Sequence, residues 1–147
     1  METEKLHFKI GLSGTYWDKQ PVYSVAVNDD AIKTAKIETE SNEVFYVEFD
    51  HVVSEGTVAL KIRLENKDNS DTVQNNDKTE IVKDILLNVV SVEIDEVDLG
   101  MLIYSKSVFT GDDPDRPVLD NCINLGWNGT WMLSFESPFY IWLLENI

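Results

Sequence analysis

The sequence predicts an all-β fold, a jelly-roll-like β-sandwich formed by a single domain over residues 1–147. Apolar and polar side chains alternate through most of the chain, as they do in strands that bury one face. Turn-forming residues divide this pattern into about nine short strand segments, and at most one helix is predicted besides them. About eight short strands without intervening helices commonly pack as two stacked sheets, which predicts the sandwich.

The first half of the chain carries five predicted strands. They cover residues 6–12, 22–27, 32–38, 44–49 and 57–64. The second and third flank Asn28-Asp29-Asp30, and this arrangement predicts a hairpin because Asn and Asp tolerate a left-handed backbone. Glu55-Gly56 predicts the turn into the fifth strand.

The second half alternates less regularly. Its predicted elements are two surface loops, at residues 66–78 and 111–117, and two strand segments, at residues 81–94 and 101–104. Asn128-Gly129 is a preferred dipeptide for two-residue hairpin turns, so residues 123–135 are predicted to form a hairpin around it. Both faces of that hairpin carry apolar side chains, and we expect both to be covered.

Residues 137–147 have two interpretations. Ser137 as N-cap and Pro138 at the first helical position favour a helix with Phe139, Trp142, Leu143 and Ile147 on one face. The alternative is a final strand, because Phe, Tyr, Ile and Trp also favour sheets. In either form the segment is too apolar to lie exposed, so these four residues are predicted to dock on their own domain or on a neighbouring subunit.

The charge of the chain limits its partners. There are 27 Asp and Glu residues against 12 Lys and Arg, a formal net charge of −15. Such a surface repels phosphate, so neither nucleic acid nor an anionic membrane is expected to bind. No apolar stretch is long enough to span a bilayer and no signal-peptide pattern begins the sequence, so no membrane insertion is expected and the cellular location stays open.

Catalytic motifs are not evident. The sequence has two histidines, His7 and His51, and one cysteine, Cys122, and these show no triad or metalloprotease spacing. In so acidic a chain, some pair of carboxylates falls at a hydrolase-like separation by chance. The sequence therefore predicts a protein that is not an enzyme.

The polar loop and the residues after it could bind a cation. Calcium prefers six to eight oxygen ligands from carboxylates, amides and carbonyls. The candidate ligands are Asn66, Asp68, Asp71, Asp77 and Asp84. The other interpretation is a solvated, turn-rich loop without metal.

Part of this region resembles a known family. Residues 59–66, then Asp77-Lys78 and residues 82–84, resemble the calcium-dependent xylan-binding carbohydrate modules. In that family, acids at the ends of two strands and in the loop between them hold calcium, which binds sugar hydroxyls. The matching positions are Asn66, Asp77 and Asp84. Over about residues 57–100 the resemblance implies calcium as cofactor and a glycan as partner, although Lys67 stands where the family has Asp.

Exposed aromatic rings are the second candidate feature for sugar binding. Tyr16, Trp17 and Tyr23 flank a polar segment and are predicted to stack on sugar rings, and Trp127 adjoins the predicted hairpin tip. Aromatic side chains combine a large apolar face with a polar group, which suits a ligand of mixed polarity.

The last third resembles a different group of proteins. Residues 122–131 and 137–146 resemble small uncharacterised proteins of marine tailed phages, which implies a virion or tail setting. The sequence therefore predicts a non-catalytic, carbohydrate-binding module for a polysaccharide or surface glycan. The alternative is a phage structural or assembly protein that contacts a protein partner, or a second copy of itself, through its apolar C-terminal segment.

Overall fold

Antiparallel pairing arranges most of the chain into two stacked sheets in a computed structural model that describes residues 2–147. The strands are β1 (Thr3–Thr15), β2 (Val22–Val27), β3 (Asp30–Lys36), β4 (Phe45–Ser54), β5 (Gly56–Leu64), β6 (Val73–Gln74), β7 (Ile81–Lys83), β8 (Leu86–Ile94), β9 (Val97–Asp98), β10 (Ser107–Gly111), β11 (Leu119–Asp120), β12 (Asn124–Leu125) and β13 (Gly129–Ser137). The helices are α1 (Leu102–Ser105) and α2 (Phe139–Asn146), and residues Asn69–Asp71 form one 3₁₀ turn.

The first sheet has the order β12-β8-β1-β4, with β9 beside β8, and the second has the order β11-β10-β13-β5-β2-β3. Strands β6 and β7 pair only with each other, as a small separate hairpin. The predicted β-sandwich is confirmed. The order of β10, β13 and β5 matters most for the site, because it brings together loops that are distant in sequence.

Alternation produces the core between the sheets. The inward side chains of the central strands are fully buried, and they include Leu6, Phe8, Ile10, Leu60, Ile62, Trp131 and Leu133. Burying one such side chain contributes about 1.5–3 kcal/mol to the stability of the fold. One continuous hydrophobic cluster extends from β1 to α2.

The hairpin predicted at Asn28-Asp29-Asp30 is confirmed. Strands β2 and β3 pair antiparallel with Val27 opposite Asp30. Asn28 has a φ of 54°, the left-handed conformation that Asn tolerates. Its side chain accepts a hydrogen bond from the Ala59 N–H at 2.9 Å, which ties the turn to β5.

The hairpin predicted around Asn128-Gly129 is wrong. Residues Asn124–Leu125 pair with β8 in the first sheet, whereas β13 pairs with β10 and β5 in the second. A two-residue hairpin turn of the preferred type needs positive φ at both central positions, and neither Asn128 nor Gly129 has it. The chain crosses between sheets here.

Three other predicted elements differ from the structure. Residues 101–104 are not a strand: the chain turns at Gly100, which has a φ of 56°, and α1 follows with Ile103 buried. The segment 81–94 is interrupted between β7 and β8. The loop at residues 66–78 contains the 3₁₀ turn and β6, while the loop after β10 is present as predicted.

The C-terminal segment is a helix, as favoured by the sequence, but the group that caps it was not predicted. The side chain of Glu4 in β1 accepts hydrogen bonds from the Phe139 N–H at 2.9 Å and from the Ser137 hydroxyl. A carboxylate at this position satisfies a free N–H at the start of the helix and suits its positive end. Glu4 therefore does what was expected of Ser137, and it links the first strand to the last helix.

Candidate functional site

An open groove lies at the end of the second sheet where β5 and β10 finish and β13 begins. It has a volume of about 620 Å³, and its walls come from the loop after β5, the loop after β10 and the segment before β13. Its polar wall residues include Asn69, Gln74, Asp84, Asp112, Asp113 and Asn128. Trp127 and Ile81 supply apolar surface.

A lysine and a carboxylate form the floor of this groove. The Lys67 ammonium lies 2.6 Å from Asp84 Oδ1 and 2.6 Å from the Gly126 carbonyl oxygen. The side chain of Lys67 is only 9% exposed and that of Asp84 20% exposed. At such burial the pair is held by short, charge-assisted hydrogen bonds with little competition from water.

The backbone of Lys67 is fixed by Asn128. The Lys67 N–H donates to Asn128 Oδ1 at 2.7 Å, and Asn128 Nδ2 donates to the Lys67 carbonyl at 2.9 Å. The Asn128 amide thus pairs with Lys67 as a neighbouring peptide group would. This pairing explains why Asn stands at residue 128 although no hairpin turn is present.

Asp84 is ionised within this network. Burial raises the pKa of the Asp84 carboxyl, but hydrogen bonds from Lys67, Thr72 and the Ile85 N–H outweigh it, so the pKa lies below its usual value. Because the pKa of Asp84 is lower in the folded state than in the unfolded state, its ionised form stabilises the protein. This stabilisation is complete at pH values above the unfolded pKa of about 3.9, and it is lost as the pH falls through the folded pKa.

Replacing Asp84 by Asn should therefore have a pH-dependent cost. At neutral pH we expect Asp84→Asn to lower the free energy of unfolding by about 2 kcal/mol, because the buried ammonium loses its counter-charge. Below about pH 4 the difference between wild type and variant should begin to shrink, since the Asp84 carboxyl takes up a proton first in the unfolded state and, at still lower pH, in the folded state. Urea unfolding of both proteins from pH 6 to pH 3 measures this, and a pH-independent difference would contradict it.

Trp127 lines one wall of the groove. Its ring lies 5.7 Å from that of Phe109, between centroids, and the Arg116 guanidinium lies over it at 4.6 Å. Gly111 allows this approach, because a Cβ there would come within 2.5 Å of Trp127 Nε1. The buried Trp127 Nε1 has no hydrogen-bond partner among residues 2–147.

Two acids in the loop after β10, Asp112 and Asp113, are held by hydrogen bonds. Arg63 in β5 donates to Asp112 Oδ2 at 2.7 Å and to the Thr130 hydroxyl at 2.5 Å, which joins that loop to the sheet. The Asp113 carboxylate accepts the Asp115 N–H at 2.9 Å. Both carboxylates border the groove, so its charge is negative around the Lys67–Asp84 pair.

The predicted calcium ligands do not converge on a shared centre. Asn66 is engaged by the backbone, since it accepts the Val22 N–H at 2.8 Å and donates to the Gln20 carbonyl at 3.2 Å. Asp77 lies exposed in the turn between β6 and β7. Across residues 2–147, no three His, Cys, Asp or Glu side chains come together as a metal-binding group.

The other predicted ligands are each paired with a lysine. Lys19 lies 2.9 Å from both Asp68 Oδ2 and Asp71 Oδ2, and Asp71 also accepts the Asp68 N–H at 2.7 Å. Lys67 binds Asp84 in the same way. These oxygens already hold ammonium groups, so the residues present do not fit a calcium ion in this arrangement.

The predicted sugar-stacking aromatics lie outside the groove. Tyr16 is partly buried, and its hydroxyl donates to the Thr39 carbonyl at 2.6 Å. Trp17 is 41% exposed, but its N–H donates to the Asp71 carbonyl at 2.8 Å and Lys83 lies over its ring. Tyr23 is a core residue, 2% exposed and packed on Phe45, so it offers no face to a ligand.

The apolar face of α2 docks on its own domain. Phe139, Trp142 and Leu143 are buried, and the first two pack against Phe135 of β13. These three side chains are therefore not accessible to a neighbouring subunit. Ile147 differs, since it follows the helix and is 80% exposed.

Comparison with known proteins shows a fold relationship. No protein-family model matches the sequence, and no curated protein matches it significantly. Among solved structures, the selenomethionine form of vCBM60, described with two circularly permuted families of calcium-dependent carbohydrate-binding modules, aligns with a TM-score of 0.51 and 14% identity. That alignment covers 87% of this chain and 89% of that one.

A second structure gives the same result. vCBM60 in complex with galactobiose aligns with a TM-score of 0.51 and 15% identity, over 88% of this chain and 97% of that one. The chain therefore shares the β-sandwich fold of these modules. Neither structure tests the resemblance of the last third to phage proteins, which stays a prediction. The described residues include no helix with the length and hydropathy of a membrane span.

Proposed function

We propose that this protein is a non-catalytic glycan-binding module whose ligand lies in the groove beside Trp127. The observation that carries the proposal is the combination of an indole ring with hydrogen-bonding groups of both kinds along one open groove. Its shared fold with vCBM60, solved in complex with galactobiose, supports the same class of ligand.

A sugar has the two kinds of surface that this groove complements. Its ring C–H groups form an apolar face that packs on an aromatic ring, and its hydroxyls both donate and accept hydrogen bonds. The Asp112 and Asp113 carboxylates accept, and the Asn69 and Gln74 amides do both. Binding sites of this type commonly pair apolar walls with a few placed polar groups.

Arg116 stands at the entrance to Trp127. Its side chain is exposed, and a cation–π contact at an exposed site contributes only about 0.5–1 kcal/mol. A sugar ring can therefore displace the guanidinium from the indole at small cost. The displaced guanidinium remains near enough to donate hydrogen bonds to ligand hydroxyls.

Isothermal titration calorimetry with galactobiose and with soluble β-galactan tests the proposal, and the intrinsic fluorescence of the wild type shows whether the ligand contacts an indole. Trp131 and Trp142 are buried, so Trp127 and Trp17 are the indoles that a ligand can reach. We expect Trp127→Ala to weaken binding by about tenfold to thirtyfold, equivalent to about 1.5–2 kcal/mol of lost contact. Trp17→Ala is the matched control and tests the aromatic platform predicted from the sequence.

The outcomes separate the two platforms. Loss of binding in the Trp17 variant with retention in the Trp127 variant would move the site to the predicted Tyr16–Trp17 surface. Absence of binding to a broad panel of neutral glycans would overturn the proposal. A rise in reducing ends during incubation with galactan would show catalysis and contradict the non-catalytic assignment.

A second candidate function is assembly through the C-terminal helix. The outer face of α2 is apolar and more than half exposed, at Tyr140, Ile141 and Leu144, and Ile147 follows it. Exposed apolar patches of this kind often bind proteins. If a second copy of the chain binds here, light scattering will show a dimer that Leu144→Glu converts to monomer, and a monomeric wild-type protein would exclude it.

A further inference from the structure

The Lys67–Asp84 pair has unused hydrogen-bonding capacity. Lys67 donates two of its three N–H groups, to Asp84 Oδ1 and to the Gly126 carbonyl. Asp84 receives Lys67, Thr72 and the Ile85 N–H all on Oδ1, and its Oδ2 accepts no hydrogen bond from residues 2–147. One donor on Lys67 and one acceptor on Asp84 therefore remain, in two hydrogen-bonded residues that line the groove.

The same ammonium occupies the position in which a metal would bind these oxygens. Its nitrogen lies 2.6 Å from a carboxylate oxygen and 2.6 Å from a carbonyl oxygen, the ligand types that calcium prefers at 2.3–2.6 Å. A divalent cation on the same oxygens would lie within contact distance of a positive charge. Withdrawal of the ammonium would break both of these short hydrogen bonds in a side chain that is only 9% exposed.

We propose that Lys67 and Asp84 form a metal-free clamp for two neighbouring hydroxyls of a neutral sugar. The third Lys67 N–H donates a hydrogen bond to one hydroxyl oxygen, and Asp84 Oδ2 accepts a hydrogen bond from the other hydroxyl. The clamp rests on the proposed glycan-binding function and deepens it. Lys67 thus supplies the positive charge that a bound cation would otherwise bring to the sugar.

The surrounding charges restrict the sugar class. Four carboxylates line the groove, those of Asp68, Asp84, Asp112 and Asp113, against two cations, of which Lys67 is paired with Asp84 and Arg116 lies over Trp127. A uronic acid or sulfated sugar would bring a second anion against these carboxylates and would be repelled. The ligand class is therefore neutral polysaccharide, with adjacent free hydroxyls.

Isothermal titration with β-galactan and galactobiose, in excess EDTA and in millimolar calcium, tests the clamp. We expect equal affinity in the two buffers and at least tenfold weaker affinity for polygalacturonate. Lys67→Met should weaken galactan binding by at least about tenfold in both buffers, because it removes the charged donor while keeping an unbranched side chain of nearly the same length. Lys61→Met, which removes a lysine outside the groove, should bind as wild type.

A thermal melt keeps the test independent of glycan binding. The wild-type melting temperature should not change with calcium, whereas Lys67→Asp, which replaces the ammonium with a carboxylate, should gain calcium-dependent stabilisation that EDTA reverses. Circular dichroism checks that each lysine variant is folded, and the comparison of buffers on the wild type needs no variant.

The outcomes distinguish the clamp from the broader proposal. Galactan binding that requires calcium, or that Lys67→Met leaves unchanged, would overturn the clamp and leave the glycan-binding function standing. A calcium-dependent melting temperature in the wild type would also overturn it. Absence of binding to any neutral glycan would overturn both.

Discussion

Trp131→Ala is expected to lower the free energy of unfolding by about 3–5 kcal/mol, because it removes the largest fully buried side chain. Trp131 lies in β13, the central strand that pairs with both β10 and β5. Its indole N–H also donates to the Cys122 carbonyl at 2.9 Å, and that carbonyl would lose this partner in the core. Loss on this scale is a large part of the stability of an ordinary domain.

Chemical denaturation measured by circular dichroism is the appropriate assay. Trp17→Ala serves as the matched control, since it deletes the same side chain from a half-exposed position and should cost much less. Equal losses in the two variants would show that Trp131 is not the core residue that the structure describes.

Gly129→Ala is expected to cost about 3 kcal/mol, while Gly126→Ala three residues earlier is expected to be nearly neutral. A Cβ on Gly129 would lie 2.4 Å from the Thr110 carbonyl oxygen and 2.7 Å from Gly111 Cα, both backbone atoms that cannot rotate away. Overpacking against backbone forces the strands apart. At Gly126 the nearest atom is the Leu86 Cδ2 at 3.8 Å, an ordinary contact.

The pair of glycine variants also tests the wall of the groove. Separation of β10 from β13 would move Gly111, on which the Trp127 indole rests, and should weaken galactan binding in protein that is still folded. Melting curves and galactan titrations on both variants measure the two effects. Stability of Gly129→Ala equal to that of Gly126→Ala would contradict this close approach of the strands.

The strands could be predicted from the sequence because their signal is local. Alternation at residues 6–12 and 57–64 depends only on which side of each strand faces the core, and the structure buries those apolar residues. The turn at Asn28 was also predictable, since its left-handed backbone is the state that Asn tolerates. Local chemistry and tertiary structure agree at these positions.

Asn128-Gly129 shows where local signals fail. The dipeptide suits a hairpin turn, but here Asn128 pairs with the backbone of Lys67 and Gly129 permits the contact with β10. Both are tertiary requirements from residues distant in sequence. No short-range pattern distinguishes a glycine that is needed for its backbone angles from one needed for its lack of a side chain.

The groove was only partly predictable for the same reason. Asp68 and Asp84 were predicted as metal ligands, and Trp127 was predicted beside a hairpin tip. Arg116 and the acids beside it join them only because β5, β13 and β10 are neighbours. That order could not be read from the chain. One feature of the sequence did indicate the Lys67–Asp84 pair. The chain has 12 basic residues against 27 acidic ones, and one of the basic residues, Lys67, lies among the predicted metal ligands. A lysine ammonium at that position can neutralise the carboxylates in place of calcium.

The hydrogen bonds from Ser137 and Phe139 to Glu4 bear on how the protein can be attached to a surface. They hold the start of the first strand and the start of the last helix together at the Ser137 end of β13, whereas the groove lies at the Gly129 end. Eight residue steps along a strand span about 26 Å. Immobilisation or fusion near that gathered end should thus leave the opposite pole of the molecule unobstructed and facing outward.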